Sequence, residues 1–542
     1  MGRLQRLFFN TPRISVAAIV IVLLVFSIGS SMAFAAITGN LQIENRAVLG
    51  CGTGLGDAPP TTDTSCTTKS AAVSDTTSTS AAQHSQTNSA GVHLPISYDL
   101  SSLTGNIRYV ATNGNDGSAG GASNPYATLS KAYSASASGD TIVVRGGTYR
   151  QGNVTIAANK PVRIVAYPGE IPVFNGATPA SGGWAGEGSL QSRAYTAMPV
   201  TSGSGINFPG GQNLTGAGDG KFPDEAWVGN TQLKQVQSKD AVSSGTFAVE
   251  GGRLYMTASD VARGNVEVSN LRNFINVQAP GTTLEGIKVT RFANSANDYG
   301  VIKLNGSADK TLLKNVEVSD TAFIAVTISG GADTNNGTTF KNVTMANSNW
   351  MGVNPTYTDN LTFDSVDIHG MNQWGEFSYS PQSGAIKTSR TQHTKVLNSR
   401  IADNKSHGLW FDQSNYDVQV AGNTITGNLG SSVFFEISDD LTLANNYIVS
   451  PANGDRAVKL AGSSGLKLIN NTIIGGSDPV GIYTDSRSKP GCADPSQPLC
   501  ANSYGSDRDT VHPRMATMDW VPRLDMMINN IIAYPTSAGY CG

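Results

Sequence analysis

Two carboxylate residues, Asp412 and Glu436, occupy matching places in two similar segments of the chain. The first segment is Gly-Leu-Trp-Phe-Asp at residues 408–412, and the second is Val-Phe-Phe-Glu-Ile at residues 433–437. Repeats of about 20 to 50 residues built from short β segments indicate a solenoid. If each segment lies in one coil, the two carboxyl groups face each other across neighbouring strands, about 5 Å apart. Retaining glycoside cleavage pairs a carboxylate nucleophile with a carboxylic acid at roughly 5–5.5 Å, so the spacing predicts this chemistry.

The alternation of side chains along a strand places both carboxylates on one face. Successive side chains of a strand point to opposite sides, so with Phe411 and Phe435 turned inward, Asp412 and Glu436 both point outward. Two like charges this close raise the pKa of one of them, which lets an acid and a carboxylate nucleophile coexist at neutral pH. Lys387 lies 25 residues before Asp412, and we predict that it completes a charged column with them.

Aromatic residues accompany the carboxylates. Exposed aromatic rings next to carboxylates form a surface on which sugars stack, and loops of the preceding coils are placed to wall a cleft. We therefore predict that substrate is bound by Trp410, Phe434, Tyr416, Trp374 and Glu376. The alternative is that the carboxylates are solvated ladder charges neutralised by Lys387 and that the aromatic residues serve packing.

The elements that must position these residues are the coils of the repeat. Turn asparagines recur at Asn398, Asn423, Asn446 and Asn471, with spacings of 25, 23 and 25 residues. Asparagine tolerates the left-handed backbone of such corners and stacks in hydrogen-bonded ladders. The pattern predicts an all-β chain that winds as a parallel solenoid.

The ordered part of the chain opens with a characteristic succession of elements. A strand at residues 108–112 leads into a glycine-rich turn, a short helical stretch follows at 129–136, and a Gly-Asp strand ends in Gly-Gly-Thr-Tyr at 146–149. This order resembles the start of the pectate-lyase-like right-handed parallel β-helix superfamily. The resemblance implies a right-handed β-helix whose N-terminal end is covered by a capping helix.

Composition and the spacing of the β segments divide the 542 residues into segments. We predict a signal peptide or signal anchor at 1–35, a low-complexity linker at 36–95, a cap with the first coils at 96–176, an inserted β subdomain at 177–270, and the main coils at 271–542 with an irregular loop near 486–523. Charged residues are 14% of the chain and the net charge is −3, so no basic surface favours nucleic acid.

The first residues indicate export. Arg3, Arg6 and Arg13 precede an apolar run at 14–29 and an Ala-Phe-Ala cleavage pattern at 33–35, the three parts of a secretory signal. The apolar run also suffices to span a bilayer if it is not cleaved. We expect a secreted or cell-surface protein that contacts a membrane only through this segment.

Five cysteines fit an oxidising compartment. Cys51 and Cys66 bracket a polar loop, Cys492 and Cys500 bracket a short loop that a disulfide would close, and Cys541 is left over. Metal binding is the rival interpretation, although no C-x-x-C motif supports it.

The two carboxylate segments also resemble a family of enzymes. Gly-Leu-Trp-Phe-Asp followed one coil later by Val-Phe-Phe-Glu-Ile is similar to the pattern of the β-helix β-xylosidases of glycoside hydrolase family 120. Carried over by position, the resemblance implies Asp412 as nucleophile and Glu436 as acid/base. The chain departs from the family after Glu436, where residues 437–440 read Ile-Ser-Asp-Asp in place of the family's Asn-His-Gly.

Two other functions remain open for the same residues. A polysaccharide lyase or epimerase would use Lys387 as the base and Asp412 and Glu436 as ligands of Ca²⁺, which neutralises the substrate's carboxylate. A non-catalytic glycan-binding surface protein would need neither. The sequence predicts a polysaccharide or oligosaccharide partner and no cofactor other than the Ca²⁺ of the lyase alternative, and it leaves the oligomeric state open.

Overall fold

Three parallel sheets form the sides of a β-helix. The computed structural model describes residues 90–198, 223–295, 300–329, 336–375, 377, 383–484 and 522–534. Sheet A has twelve strands, Ile107–Val110, Thr141–Val144, Arg163–Ala166, Thr283–Glu285, Leu312–Lys314, Thr339–Lys341, Thr362–Asp364, Lys395–Leu397, Tyr416–Ala421, Asp439–Ala444, Ser464–Ile469 and Leu524–Ile528.

The other two sheets complete each coil. Sheet B has ten strands, Val154–Ile156, Ile275–Val277, Gly300–Asn305, Ile324–Ser329, Met351–Thr356, Gly384–Ser389, His407–Asp412, Val433–Glu436, Val458–Ala461 and Val480–Tyr483. Sheet C has eleven, Gly147–Tyr149, Pro172–Asn175, Lys288–Thr290, Glu317–Thr321, Thr344–Ser348, Asp367–His369, Arg400–Ala402, Thr424–Thr426, Tyr447–Ser450, Thr472–Gly475 and Ile531–Ala533. The prediction of an all-β parallel solenoid is confirmed.

One continuous apolar core fills the interior of the helix. Alternate residues of each strand point inward, so Val, Ile, Leu and Phe from all three sheets pack in the same buried cluster. Phe340 and Phe363, in consecutive coils of sheet A, stack with ring centroids 4.8 Å apart, close to the strand spacing itself. Outward-facing residues are left for binding or chemistry.

The corner between sheets A and C repeats one backbone conformation in successive coils. The residue after the sheet A strand has a positive φ at Gly286, Asn315, Asn342, Ser365, Asn398, Gly422, Asn445, Asn470 and Asn529. These are residue types that tolerate the left-handed region best. This conformation turns the chain from sheet A into sheet C.

The neighbouring corner position carries the asparagine ladder. The side-chain oxygens of Asn446, Asn471 and Asn530 each accept N–H bonds from the asparagine one coil earlier. The prediction that Asn398 belongs to this ladder is wrong by one residue, because Ser399 holds the ladder position and donates to Asn423. Asn398 is the left-handed residue beside it.

An eight-stranded sheet interrupts the coils between sheet C and sheet B. Its strands are Ala177–Pro179, Ala185–Glu187, Leu190–Ala194, Ala226–Val228, Thr231–Val236, Thr246–Glu250, Arg253–Thr257 and Val266–Ser269. This inserted subdomain has an apolar core of its own. Its first and last strands pair antiparallel, with Ala177 opposite Ser269, so the chain leaves and re-enters the β-helix at one place.

Helices are few and short. The helix Leu129–Ala135 begins at Thr128, whose hydroxyl accepts the N–H of Lys131 at 3.1 Å, a normal N-cap. Leu129 and Ala132 are buried in the main core; that this helix caps the solenoid stays a prediction. The other helices are Ala258–Ala262 and the 3₁₀ turns Leu100–Ser102 and Lys239–Ala241.

Several sequence predictions fall on parts of the chain that the structure does not describe. They are the signal segment, all five cysteines, and most of the linker and of the irregular loop near 486–523. Within the described residues, no helix is both long and apolar enough to cross a membrane.

Candidate active site

Asp412 and Glu436 end two neighbouring strands of sheet B. The strand His407–Asp412 pairs in parallel with Val433–Glu436, and Asp412 lies directly opposite Glu436. Both side chains leave the coil on the outer face, since Leu409, Phe411 and Phe435 point into the core. Asp412 keeps 8% and Glu436 9% of its surface exposed, so both residues are largely buried but still contact solvent.

Unusual backbone fixes the ends of both strands. Gln413 and Ser414 follow Asp412 with φ of 57°, and Ile437 follows Glu436 with φ of 39°. A β-branched residue in the left-handed region costs about 1–3 kcal/mol and is over-represented at functional sites. The buried Asn415 amide donates to the backbone oxygen of Asp412 at 2.8 Å, which holds this turn in place.

Lys387 reaches Asp412 from the preceding coil. Its Nζ lies 3.2 Å from Asp412 Oδ2, and both side chains are largely buried. The predicted column of Lys387, Asp412 and Glu436 is nevertheless wrong in register, because Ser389 lies opposite Asp412 and Lys387 lies opposite Trp410. The ion pair is therefore diagonal, made by the long lysine side chain across two residues of register.

Glu436 has a different neighbour. The indole Nε1–H of Trp410 donates to Glu436 Oε2 at 3.1 Å. This buried hydrogen bond orients the carboxyl group from one coil below. A cation thus contacts Asp412, and an indole N–H donates to Glu436.

Four side chains stack in register behind the carboxylates. Lys387, Trp410, Phe434 and Lys459 lie opposite one another in consecutive strands of sheet B. The Trp410 and Phe434 rings stack at 5.2 Å, with Lys387 Nζ 3.7 Å from the Trp410 ring and Lys459 Nζ 4.4 Å from the Phe434 ring. We call this set the lysine-capped column.

The column corrects one prediction about substrate binding. Trp410 and Phe434 were expected to form an exposed aromatic platform, but they are only 2% and 4% exposed. Each ring has one face on the other ring and one face under a lysine, so neither face is open to a sugar. Spacing alone could not show this, because the covering residues come from other coils.

A buried histidine packs behind the column. The His407 ring lies 4.8 Å from Trp410 and 5.1 Å from Phe434, and its Nδ1 accepts the N–H of Ser431 at 2.8 Å. Burial, helped by the charge of Lys459, lowers the pKa of His407 to about 3. The imidazole is therefore neutral at ordinary pH, and its proton is on Nε2.

Lys459 is held by a carboxylate of its own. Its Nζ lies 3.1 Å from Asp455 Oδ2, which also accepts the Ser431 hydroxyl at 2.8 Å. Burial acts to raise the pKa of Asp455, but the Ser431 hydrogen bond and Lys459 outweigh it and the pKa is lowered. Tyr483 completes this cluster beside Trp410 and Phe434.

Tyr416, Trp374 and Glu376 are the other residues predicted to bind substrate. Tyr416 begins the next strand of sheet A, and its ring meets the edge of His393 at 6.3 Å. Trp374 is half-buried in the turn after the strand Asp367–His369, and Glu376 lies outside the described residues. Sequence reasoning missed Lys459, Asp455 and Tyr483, although the spacing of Lys459 from Phe434 was a usable signal.

Metal ligands do not cluster in the described part of the chain. No group of three or more His, Cys, Asp or Glu side chains is placed there to hold a metal ion. Oδ2 of Asp412 lies against the ammonium of Lys387.

Comparisons with known proteins address the fold. The family model "Right handed beta helix region" matches residues 299–473. The chain is a right-handed parallel β-helix. No curated protein matches the sequence.

A solved structure with a TM-score above 0.5 agrees with this fold. The complex of XylC with xylose is 15% identical, with a TM-score of 0.51 over 68% of this chain and 69% of that one. A glycoside hydrolase is 10% identical, with a TM-score of 0.41 over 80% and 98% of the two chains. Pectate lyase Pel9A is 14% identical, with a TM-score of 0.36 over 70% and 72%. At these identities the similarity concerns the fold alone.

Proposed function

We propose that this β-helix is a carbohydrate-active enzyme, and specifically a retaining glycoside hydrolase. The observation that carries the proposal is the in-register pair of Asp412 and Glu436 on the outer face of sheet B. Neighbouring strands are about 4.7–4.9 Å apart, close to the roughly 5–5.5 Å between the carboxyl groups of retaining enzymes. An inverting enzyme needs roughly 6.5–9.5 Å to admit a water molecule.

The different neighbours of the two carboxylates assign their roles. The Lys387 ammonium contacts Asp412, a partner that suits a carboxylate nucleophile. In the first step the Asp412 carboxylate bonds to the anomeric carbon while Glu436 gives its proton to the departing glycosidic oxygen. In the second step Glu436 takes a proton from water, and the water oxygen displaces Asp412 from the sugar.

Trapping of the covalent intermediate tests the proposal. After an aryl-glycoside panel has identified a substrate, the matching 2-deoxy-2-fluoro glycoside is added and the intact mass is measured. XylC, whose complex holds xylose, suggests xylosides as the first member of the panel. We expect a mass increase of one sugar residue, mapped by peptide digestion to Asp412. A label on another carboxylate would overturn the assignment.

Three variants separate this function from its alternatives. Asp412→Asn and Glu436→Gln should abolish release of sugar with retained anomeric configuration, whereas Asp417→Asn, which removes a carboxylate paired with His393 in the same coil, should not. Unsaturated products that require Ca²⁺ would instead indicate a lyase with Lys387 as base. Glycan binding that yields no product, and that is unchanged in Asp412→Asn and in Glu436→Gln, would indicate a binding protein.

The lyase alternative has less support from the geometry. A general base must lose its proton before it can act, whereas Lys387 contacts a carboxylate and an aromatic face, two partners that suit an ammonium.

Export to the cell surface, with the polysaccharide as partner, belongs to the same proposal and is tested by fractionating the cells and sequencing the mature N-terminus.

A further inference from the structure

A cavity of about 490 Å³ lies where the inserted subdomain meets the first coils. Its wall consists of residues 193–198 and 268–270 together with Asn153, Thr178 and Arg272. Asn153 precedes the first strand of sheet B, six strands from the strand of Asp412, which is roughly 29 Å at the usual strand spacing. We call this cavity the arginine cavity. It is separate from the candidate active site.

Among the residues that the structure describes, Arg193 and Arg272 are the charged ones that line this cavity. The Nε and Nη1 of Arg193 are buried and bond to no acceptor within the described residues, while its guanidinium lies 5.8 Å from the Trp184 ring. Arg272 is anchored by a bond from Nη2 to the Ser295 hydroxyl at 3.3 Å. Two guanidinium groups on the wall of one cavity favour an anion.

Hydrogen bonds behind the wall hold it in shape. The Tyr195 hydroxyl donates to Asp224 Oδ1 at 2.9 Å, and the N–H of Met198 donates to the same oxygen at 2.8 Å. These bonds hold the wall of the arginine cavity, whose lining carries two arginines, although the whole chain carries a net charge of −3.

We propose that the arginine cavity binds an acidic sugar, a hydroxylated ring that carries a carboxylate. A guanidinium pairs with a carboxylate through two parallel hydrogen bonds, and the guanidinium groups of Arg193 and Arg272 line this cavity. The volume falls in the range of small-molecule sites and is larger than an inorganic anion needs. Asn153, Thr178 and Asn270 on the wall supply amide and hydroxyl groups that suit sugar hydroxyls.

Calorimetric titration with glucuronate, glucose and inorganic sulfate tests the proposal. We expect glucuronate to bind at least roughly ten times more tightly than glucose, and Arg193→Gln to weaken it by roughly tenfold or more, the usual effect of one lost charge-assisted hydrogen bond. Sulfate should bind more weakly than glucuronate. Binding of sulfate as tight as that of glucuronate would overturn the sugar assignment.

Matched variants make the result specific. Arg263→Gln alters an exposed arginine of the same subdomain, paired with Asp260, and should leave binding unchanged. Asp412→Asn should also leave it unchanged, which separates this site from the candidate active site whatever the enzyme's activity. Glucuronate binding that is absent from the wild type, or that persists in Arg193→Gln with an unaltered melting curve, would refute the proposal.

Discussion

At the scale of single residues, the two candidate catalytic carboxylates are distinguished by what contacts them. A lysine ammonium lies against Asp412, and an indole N–H donates to Glu436. Carboxylates with different environments are how one site holds an acid and a base at the same pH. Lys387 and Trp410 are therefore positioning residues whose removal should affect different parts of the reaction.

Lys387→Met should impair the nucleophile. The variant keeps an apolar side chain over the Trp410 ring but removes the cation beside Asp412. We expect kcat/KM to fall by roughly ten- to a hundredfold, in the range for a lost charged hydrogen bond. Lys467→Met, which breaks the surface pair with Asp440, is the control. An unchanged kcat/KM in Lys387→Met would contradict the assigned role.

Trp410→Phe should impair the acid/base. The ring stays in the lysine-capped column, whereas the N–H that orients Glu436 is lost. Because proton donation matters most for a poor leaving group, we expect roughly a tenfold loss on alkyl glycosides and a smaller loss on nitrophenyl glycosides. Trp350→Phe, in a separate aromatic cluster with Phe323 and Phe377, serves as control. Equal losses on both substrates would indicate a packing role only.

His407 should make stability depend on pH. Its pKa is lowered from 6.5 to about 3 in the folded state, so between these values the unfolded chain binds more protons. Stability from the neutral imidazole is present above pH 6.5 and is lost as the pH falls toward 3. We expect the difference in unfolding free energy between wild type and His407→Gln to shrink over this window in urea titrations. A constant difference would contradict the prediction.

The sequence predicted the site only in part. The alternation of side chains and the 24-residue repeat placed Asp412 opposite Glu436, because both depend on strand geometry alone. The register of Lys387 was wrong because coils differ in length from one corner to the next, so a count made at the asparagine corner does not transfer to sheet B. The burial of Trp410 and Phe434 depends on lysines of neighbouring coils, which a single-strand pattern does not contain.

At the scale of elements, adjacent asparagines at the corner between sheets A and C have different structural roles. Asn445 is exposed and has φ of 55°, whereas Asn446 is buried in the ladder. The repeat of asparagines predicted the corner correctly but could not tell the two positions apart, since both favour the same residue. Side-chain burial decides which of them is structural.

Replacing each of these two asparagines should affect the unfolding free energy differently. Asn446→Ala removes two bonds from Asn423, one to Asn471 and one to the Val420 oxygen and should lower the unfolding free energy by roughly 4 kcal/mol, about one per hydrogen bond. Asn445→Gly keeps the left-handed backbone and should change it by less than about 1 kcal/mol. Denaturant titration compares them, and equal losses would contradict the assignment.

At the scale of the whole molecule, a buried acid joins the inserted subdomain to the coils. Glu225 accepts hydrogen bonds from Gln232 of the subdomain and from Asn349 of the β-helix. Burial raises the pKa of Glu225 well above its ordinary value. This contact between two units could not be predicted from sequence, because its partners are 124 residues apart.

Glu225 should oppose folding at high pH. Since its pKa is raised in the folded state, the stability it contributes is present below about pH 4.5 and is lost as the pH rises through the folded value. We expect the melting temperature of wild type, relative to Glu225→Gln, to fall steadily between pH 5 and 9. Differential scanning calorimetry measures this, with Glu250→Gln as an exposed control. Parallel curves would contradict the prediction.

The antiparallel pairing of Ala177 with Ser269 has a consequence for the kinetics of folding. Strands Val154–Ile156 and Ile275–Val277 are neighbours in sheet B but are separated by the whole inserted subdomain, a long loop whose closure costs entropy. If the subdomain folds first, its joined ends turn that loop into a short one. Early folding of the inserted subdomain would thus accelerate the pairing of the first coils with the later coils. Pairing of Val154–Ile156 with Ile275–Val277 would then follow the folding of the subdomain.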